Sequence, residues 1–357
     1  MNILIIEDSS KVGYGGGQKI TEYVISILSV LNELYLFDFT RKSIVYERTK
    51  GKIKRFVPFF TIGKIKGSKS SYNVGILELL TLPLVYLINI LRMILLYKSI
   101  GSPGIVYCTT KKALLYGMSL RLFHKLRLIY HCHTVLPEQR GIAKIFNICA
   151  EKFCDEIIAV SRYVMQEFTG KGKIRLIYNP AGAKGRARKT KSLQKEISIG
   201  FVSNLLPLKG FHTFCRLAEE LSRKDIRCHF NAYGYNPLHL KIPEYVTYKG
   251  FCKPEIIYNE IDMLVFCSLS PEACPLTPLE AQSFGIPVIA PRMGALLEII
   301  VDNVSGRLYT TYEDMLQCVQ ELSDQKTYET FSARSLENAR RFEMSVFKEN
   351  ILSVFGA

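Results

Sequence analysis

Among its ten cysteines the sequence has no C-x-x-C pair and no metal-finger spacing. It has no internal repeat and no long low-complexity tract. Its first residues, MNILIIEDSS, lack the basic region and apolar run of a signal peptide. Together these absences point to reduced thiols in a cytosolic compartment. A composition of 48% hydrophobic and 22% charged residues excludes disorder. At 357 residues the chain is too long for one ordinary core, so two domains are expected.

Acidic residues are scarce in the first half. Residues 1–196 carry 32 Lys and Arg against 13 Asp and Glu, a net +19, whereas residues 197–357 carry 15 against 19, a net −4. A cationic half calls for a polyanionic partner, either nucleic acid or an anionic membrane surface. Residues 76–97, ILELLTLPLVYLINILRMILLY, form the longest apolar run. Three readings fit it: a buried helix of a large core, a helix lying in a membrane interface, and a true span, which Pro83 and Arg92 disfavour.

What is present reads as α/β. Ile3 to Ile6 is a short apolar strand, followed by the glycine turn GYGGGQ from Gly13 to Gln18. Ile20, Val24, Ile27, Leu28 and Leu31 then recur at helical spacing. Further strands are expected at 105–109, 128–133, 157–160 and 174–178. The stretch AGAKGRARKTKSLQKE, 181–196, is small, basic and poor in apolar residues, and reads as a linker. A second series follows, with strands at 197–202, 228–233, 246–248, 263–267 and 287–290 and a helix at 210–221. Two Rossmann-like domains in series are therefore expected, facing across a cleft, with ligands at the carboxyl ends of the strands.

Four segments carry residues with chemical potential. The glycine turn is not a dinucleotide fingerprint, because Gln18 stands where a G-x-G-x-x-G frame from Gly13 needs its last glycine. Its amides still suit an anion at a helix N-terminus, or the segment is a plain tight turn. In GFVSNLLPLKG, Lys209 sits at the end of a strand, where it serves a phosphate as a point charge or is a solvated loop lysine. In YHCHTVLPEQR, His131 and His133 share one face of a strand. They read as core histidines, as substrate contacts with His133 the better placed, or as a metal pair lacking an obvious third ligand. In SPEACPLTPLEAQSFGIPVIA, Glu272 and Glu280 are separated by seven residues and two prolines, so one continuous helix is disfavoured. The local pattern predicts Thr277 as N-cap, Pro278 at the first helical position and Glu280 closing a capping box.

Taken in order, GGGQK, HCH, IIAVSRYV, IYNP, GFVSNLLPLKG, YKGF, SPEACPLTPLEAQSFGIPVIAPRMG and EIIVDNVSG resemble the glycosyltransferases of family 4. The resemblance covers most of the C-terminal domain and, before it, rests on GGGQK and HCH, with IIAVSRYV and IYNP in support. It implies the GT-B architecture and a retaining, metal-independent hexosyltransferase; no D-x-D motif is present. It also implies site roles. Glu280 holds the ribose hydroxyls and Glu272 contacts the donor sugar. Ala273, Cys274, Pro275 and Leu276 form the backbone loop beside sugar and phosphates. Lys209 neutralises the leaving diphosphate, Gly16 and Gly17 line it, and His133 approaches the reacting sugar. Asn204 stands where the family often has an arginine, so Lys209 carries more of the phosphate charge, with Arg292 a candidate helper.

The implied organisation is an acceptor-binding domain over 1–183, a basic linker over 184–196 and a nucleotide-sugar domain over 197–338. A C-terminal helix over 339–357 then returns to the first domain. The expected donor is a UDP- or GDP-sugar and no cofactor is needed. The expected acceptor is polyprenyl-diphosphate-linked or a saccharide, in surface polysaccharide or lipopolysaccharide assembly. The expected location is cytoplasmic, peripheral at the inner face of the cell membrane, on anionic lipid and without nucleic acid. Two other readings keep the scaffold: a non-catalytic polyanion or membrane-surface binder, and a nucleotide-sugar epimerase.

Overall fold

The computed structural model describes residues 1–9, 15–60, 76–135, 140–170, 172–182, 197–224 and 228–356. The expected basic linker, 184–196, lies outside them, as does Gly13 of the glycine turn. The chain forms two compact units, Met1–Ile177 with Lys348–Ala357, and Tyr178–Phe347.

The first unit is a seven-stranded parallel sheet. Its strands are β1 (Asn2–Glu7), β2 (Glu33–Asp38), β3 (Ile53–Pro58), β4 (Ile105–Cys108), β5 (Arg127–Cys132), β6 (Glu156–Ala159) and β7 (Ile174–Leu176), in the order β3-β2-β1-β4-β5-β6-β7. Its helices are α1 (Gly16–Leu28), α2 (Ile44–Thr49), α3 (Ile76–Ser99), α4 (Lys111–Phe123), α5 (Arg140–Phe153) and α6 (Arg162–Met165). Ile3, Leu4, Ile5 and Ile6 are fully buried, as a central parallel strand covered on both faces requires.

α1 is shorter than its apolar spacing predicts. The helix stops at Leu28 with Ser29 as C-cap, and Leu31 is exposed beyond it. The apolar pattern there belongs to the turn before β2. The run from residue 76 is neither fully buried nor fully free. Asn89, Met93, Leu96 and Tyr97 of α3 face the core, while many of its leucines face outward.

The second unit is a six-stranded parallel sheet. Its strands are β8 (Ile197–Val202), β9 (Cys228–Tyr233), β10 (Val246–Gly250), β11 (Met263–Val265), β12 (Val288–Pro291) and β13 (Gly306–Tyr309), in the order β10-β9-β8-β11-β12-β13. Its helices are α7 (Phe211–Arg223), α8 (Pro254–Glu260), α9 (Leu276–Ser283), α10 (Leu296–Ile299), α11 (Tyr312–Leu322) and α12 (Gln325–Ala339); α13 (Met344–Phe355) ends the chain. The core gathers Ile199, Phe201, Phe214, Leu217, Met263 and Val265. In each sheet the strand order reverses once, between β1 and β4 and between β8 and β11. Ligands in such folds bind beyond the carboxyl ends of the strands at that point.

Candidate active site

In the second unit, β8 and β11 lie side by side, with Gly200 paired to Leu264. Their carboxyl ends carry the loops that hold Lys209 and Glu272. The first loop tightens into a 3-10 turn, Pro207–Lys209, and Gly210 follows at φ +73°. A Cβ on Gly210 would lie 1.9 Å from the Cys267 carbonyl oxygen, so only glycine lets the two loops approach this closely. Leu269 N–H donates to Leu208 O at 2.9 Å and ties the loops together.

This brings Lys209 Nζ to 2.5 Å from Glu272 Oε1, in a half-buried ion pair. Ser268, itself buried, places Oγ 2.9 Å from the same carboxylate oxygen. Ala295 N–H donates to Glu272 O at 3.0 Å. Gly294 passes so close that an added Cβ would sit 2.9 Å from that oxygen. Glu272 is therefore a fixed residue rather than a loose loop acid.

The capping box expected around Glu280 is not formed. Pro275 is the N-cap of α9 and no side chain caps it. Leu276 and Thr277 open the helix and Pro278 falls third, where its missing N–H is one of the unpaired amides of the first turn anyway. Thr277 O instead accepts from Tyr258 Oη at 3.1 Å. Glu280, one turn further on and 8% exposed, lies 3.4 Å from the same hydroxyl. Burial beside this carboxylate pushes the Tyr258 phenol well up, so it stays a donor. Gly285 then turns the chain toward β12.

The loop Ala273–Leu276 is anchored by Asn179, whose Nδ2 donates to Cys274 O at 2.9 Å. Burial pushes the Cys274 thiol up to about 12, which leaves it an inert packing group. Asn204 contributes a long contact, Tyr235 N–H to Oδ1 at 3.4 Å. Arg292 is ion-paired with Asp302.

In the first unit, α1 begins at Gly16 behind N-cap Gly15, whose N–H donates to Gln18 Oε1 at 2.8 Å. Helix geometry leaves the next amides, Gly16 and Gly17 among them, without intrahelical partners. A Cβ on Gly17 would lie 4.0 Å from the His133 ring. The two histidines do meet, ring centroids 4.0 Å apart. Their environments differ from the single strand face expected. His131 is inside β5 and fully buried, with Nδ1 2.6 Å from Tyr107 Oη. His133 is one residue past the strand end and half-buried, and both its ring nitrogens are shielded with no partner among the described residues. Burial holds both imidazoles neutral, and pushes His133 down to about 4. No group of three potential metal ligands occurs among the described residues.

Several residues of the site escaped the sequence reading. Ser268 and Tyr258 orient the two glutamates from neighbouring elements. Tyr235 and Phe251 follow the carboxyl ends of β9 and β10 and stack at 4.9 Å and 11°, both widely exposed. Only Phe251, inside YKGF, lay in a segment the sequence singled out.

Two family models match the chain in succession. Glycosyltransferase Family 4 matches residues 71–181, and Glycosyl transferases group 1 matches residues 184–341. A Klebsiella pneumoniae "uncharacterized 41.2 kDa protein in cps region" is 26% identical over 248 residues, 63% of this chain and 68% of that protein. The D-inositol 3-phosphate glycosyltransferase of Mycobacteroides abscessus is 28% identical over 199 residues, half of this chain and 44% of that one. Among solved structures, Anabaena Alr3699/HepE in complex with UDP-glucose superposes with a TM-score of 0.79 at 18% identity, covering 100% of this chain and 99% of that one. The lipopolysaccharide outer core galactosyltransferase WaaB superposes with a TM-score of 0.73 at 20% identity, covering 100% and 99%. With two Rossmann-like sheets and two successive models that together match residues 71–181 and 184–341, the chain belongs to the family-4-like glycosyltransferases of the GT-B type.

Proposed function

We propose that the protein transfers a hexose from a UDP-sugar to a lipid-linked or saccharide acceptor, with retention and without a metal, in surface polysaccharide or lipopolysaccharide assembly. The observation that carries this reading is the Lys209–Glu272 pair at the point where the β8–β11 strand order reverses. The UDP-glucose held by the Anabaena neighbour and the cps-region and lipopolysaccharide relatives support the donor and the setting. The expected GDP-sugar alternative differs only at the base, and the exposed Tyr235–Phe251 stack offers either base a flat apolar face.

The pair is a preformed anion site whose charge Glu272 holds until the donor arrives. The diphosphate displaces the carboxylate from Lys209, and the freed Glu272 accepts hydrogen bonds from sugar hydroxyls. Glu280, steadied by Tyr258, accepts from the ribose. The acceptor oxygen then attacks the anomeric carbon on the face the diphosphate leaves. The C–O bond to phosphate breaks, the new C–O bond forms, and the acceptor proton passes to a departing phosphate oxygen. Lys209 and the first-turn amides of α9 stabilise the anion where it grows. In the first unit, neutral His133 beside the Gly16 and Gly17 amides offers uncharged hydrogen-bonding groups. Work on a membrane-linked acceptor places the enzyme at the cytoplasmic face of the cell membrane.

The test is UDP binding and transfer in three variants, with a panel of nucleotide sugars and native membranes. Lys209→Ala should weaken UDP roughly 10- to 100-fold, as loss of a charged contact does. Glu280→Ala should abolish measurable transfer. Glu272→Gln should keep or tighten UDP binding, because Lys209 is released, while transfer falls about 100-fold or more. Equal weakening of UDP by Glu272→Gln and Lys209→Ala, or unimpaired transfer in all three, would overturn the reading.

A further inference from the structure

The outer face of α3 is apolar, and no described residue covers it. On a helix of 3.6 residues per turn, Asn89, Met93 and Leu96 share the buried side. Leu84, Leu87, Leu91 and Leu95 line the opposite side, each more than half exposed. α4 lies alongside, joined by Tyr86 Oη to Ser119 Oγ at 2.7 Å and by the Tyr97 and His124 rings at 4.6 Å. It adds Leu122 and Phe123, 66% and 69% exposed. A soluble surface rarely tolerates a patch of this kind without a partner.

Within Leu82–Ser99 and α4 every charge is positive. Lys98 continues the leucine stripe and Lys125 follows Phe123; both are exposed. Neither Leu82–Ser99 nor α4 contains an aspartate or glutamate. We propose that this face docks on an anionic lipid bilayer, with the leucines at the boundary of headgroups and acyl chains and the lysines at the level of the lipid phosphates. This deepens the membrane placement proposed above and does not depend on the transfer chemistry.

The helix lies on the bilayer rather than across it. Leu82–Ser99 is long and apolar enough to span, but its inner side is committed to the unit. Asn89 Oδ1 accepts from Phe60 N–H at 2.5 Å and its Nδ2 donates to Phe60 O at 2.9 Å. Crossing would strand these groups in hydrocarbon. A second copy of the chain is a poorer occupant, because a two-fold interface on this face would oppose cationic rims.

The experiment is co-sedimentation of the full chain with vesicles of phosphatidylcholine alone or with added phosphatidylglycerol. Binding should require the anionic lipid and weaken with salt. The triple change Leu87→Ser, Leu91→Ser, Leu95→Ser should lower partitioning at least tenfold. Lys98→Glu with Lys125→Glu should lower it about fivefold or more per charge. Leu31→Ser, at an exposed leucine beyond α1, should leave it unchanged. UDP binding should stay at the wild-type level in every variant, so failure of docking and failure of the transfer reading are separable. If the triple variant loses its fold, the lysine pair decides.

Docking is overturned if the wild type ignores anionic vesicles or if both sets of changes bind as it does. Resistance to carbonate extraction, or self-association that the leucine changes dissolve in the absence of vesicle binding, also overturns it.

Discussion

Glu7 and Asp38 end adjacent strands in register, so two buried carboxyls stand side by side. Glu7 accepts from Thr21 Oγ1 at 2.6 Å, which also reaches Gly17 O, so it braces the first turn of α1. Desolvation, with the Asp38 charge adding to it, pushes Glu7 up to about 7. The folded protein therefore holds a proton there that the unfolded chain has lost. The stability from this proton is complete below about pH 4.5 and is lost as pH rises through about 7, a difference of roughly 3 kcal/mol. His131 and His133 work oppositely. Burial lowers both, so stability from the neutral rings is lost as pH falls below about 6.5. The windows overlap, and Glu7→Gln isolates one of them. Its stability advantage over wild type should grow by roughly 2–3 kcal/mol between pH 5 and pH 8 in urea titrations. Identical pH dependence in the two proteins would show that Glu7 ionises normally.

At the scale of elements, the β8–α7 junction depends on Gly210. An alanine there adopts a left-handed backbone and drives its Cβ into the Cys267 carbonyl. Gly250, at φ +69°, is the control, because nothing lies within 4 Å of its added Cβ. Gly250→Ala should cost about 1 kcal/mol from the backbone alone. Gly210→Ala should cost about 3 kcal/mol or more and also weaken UDP binding, since Lys209 rides on the same turn. Thermal unfolding compares them, and equal losses would mean the close approach of the loops does not matter. Such approaches are what the sequence hid. β8 and β9 were legible to the residue because apolar side chains alternate along ISIGFV and CHFNAY before Ser203 and Gly234. β2 was not, because Val30 and Leu31 extend the α1 pattern into it. β3, with adjacent Lys54 and Arg55 breaking its alternation, and β13, four residues beginning with glycine, were also too weakly patterned to see. The start of α9 was misplaced by two residues because a proline is tolerated anywhere in a first turn. Lys209 and Glu272 were legible as residues, but their pairing across 63 positions follows from strand order. Ser268 and Tyr258 follow from it too.

For the whole molecule, the segment Lys348–Ala357 belongs with the first unit although the whole second unit separates it from Ile177 in sequence. Ile351, Val354 and Phe355 are fully buried, and the Phe355 ring lies 5.5 Å from Tyr107, whose hydroxyl holds His131. Three large apolar side chains contribute roughly 5–9 kcal/mol by burial. That rivals the net stability of an ordinary domain. A chain ending at Phe347 should therefore lose the first unit and keep the second. In hydrogen exchange, the amides of β4 and β5 should lose protection while those of β8 and β9 keep theirs. The proposed UDP site, whose charged groups Lys209, Glu272 and Glu280 all lie in the second unit, should still bind at reduced affinity. Transfer should vanish. Phe355→Ala is the milder version, expected to cost about 3–5 kcal/mol in the first unit alone. Unchanged protection of β4 and β5 in the shortened chain would show that the first unit folds without its C-terminal segment. Equal loss in both sheets would show that the two units unfold as one.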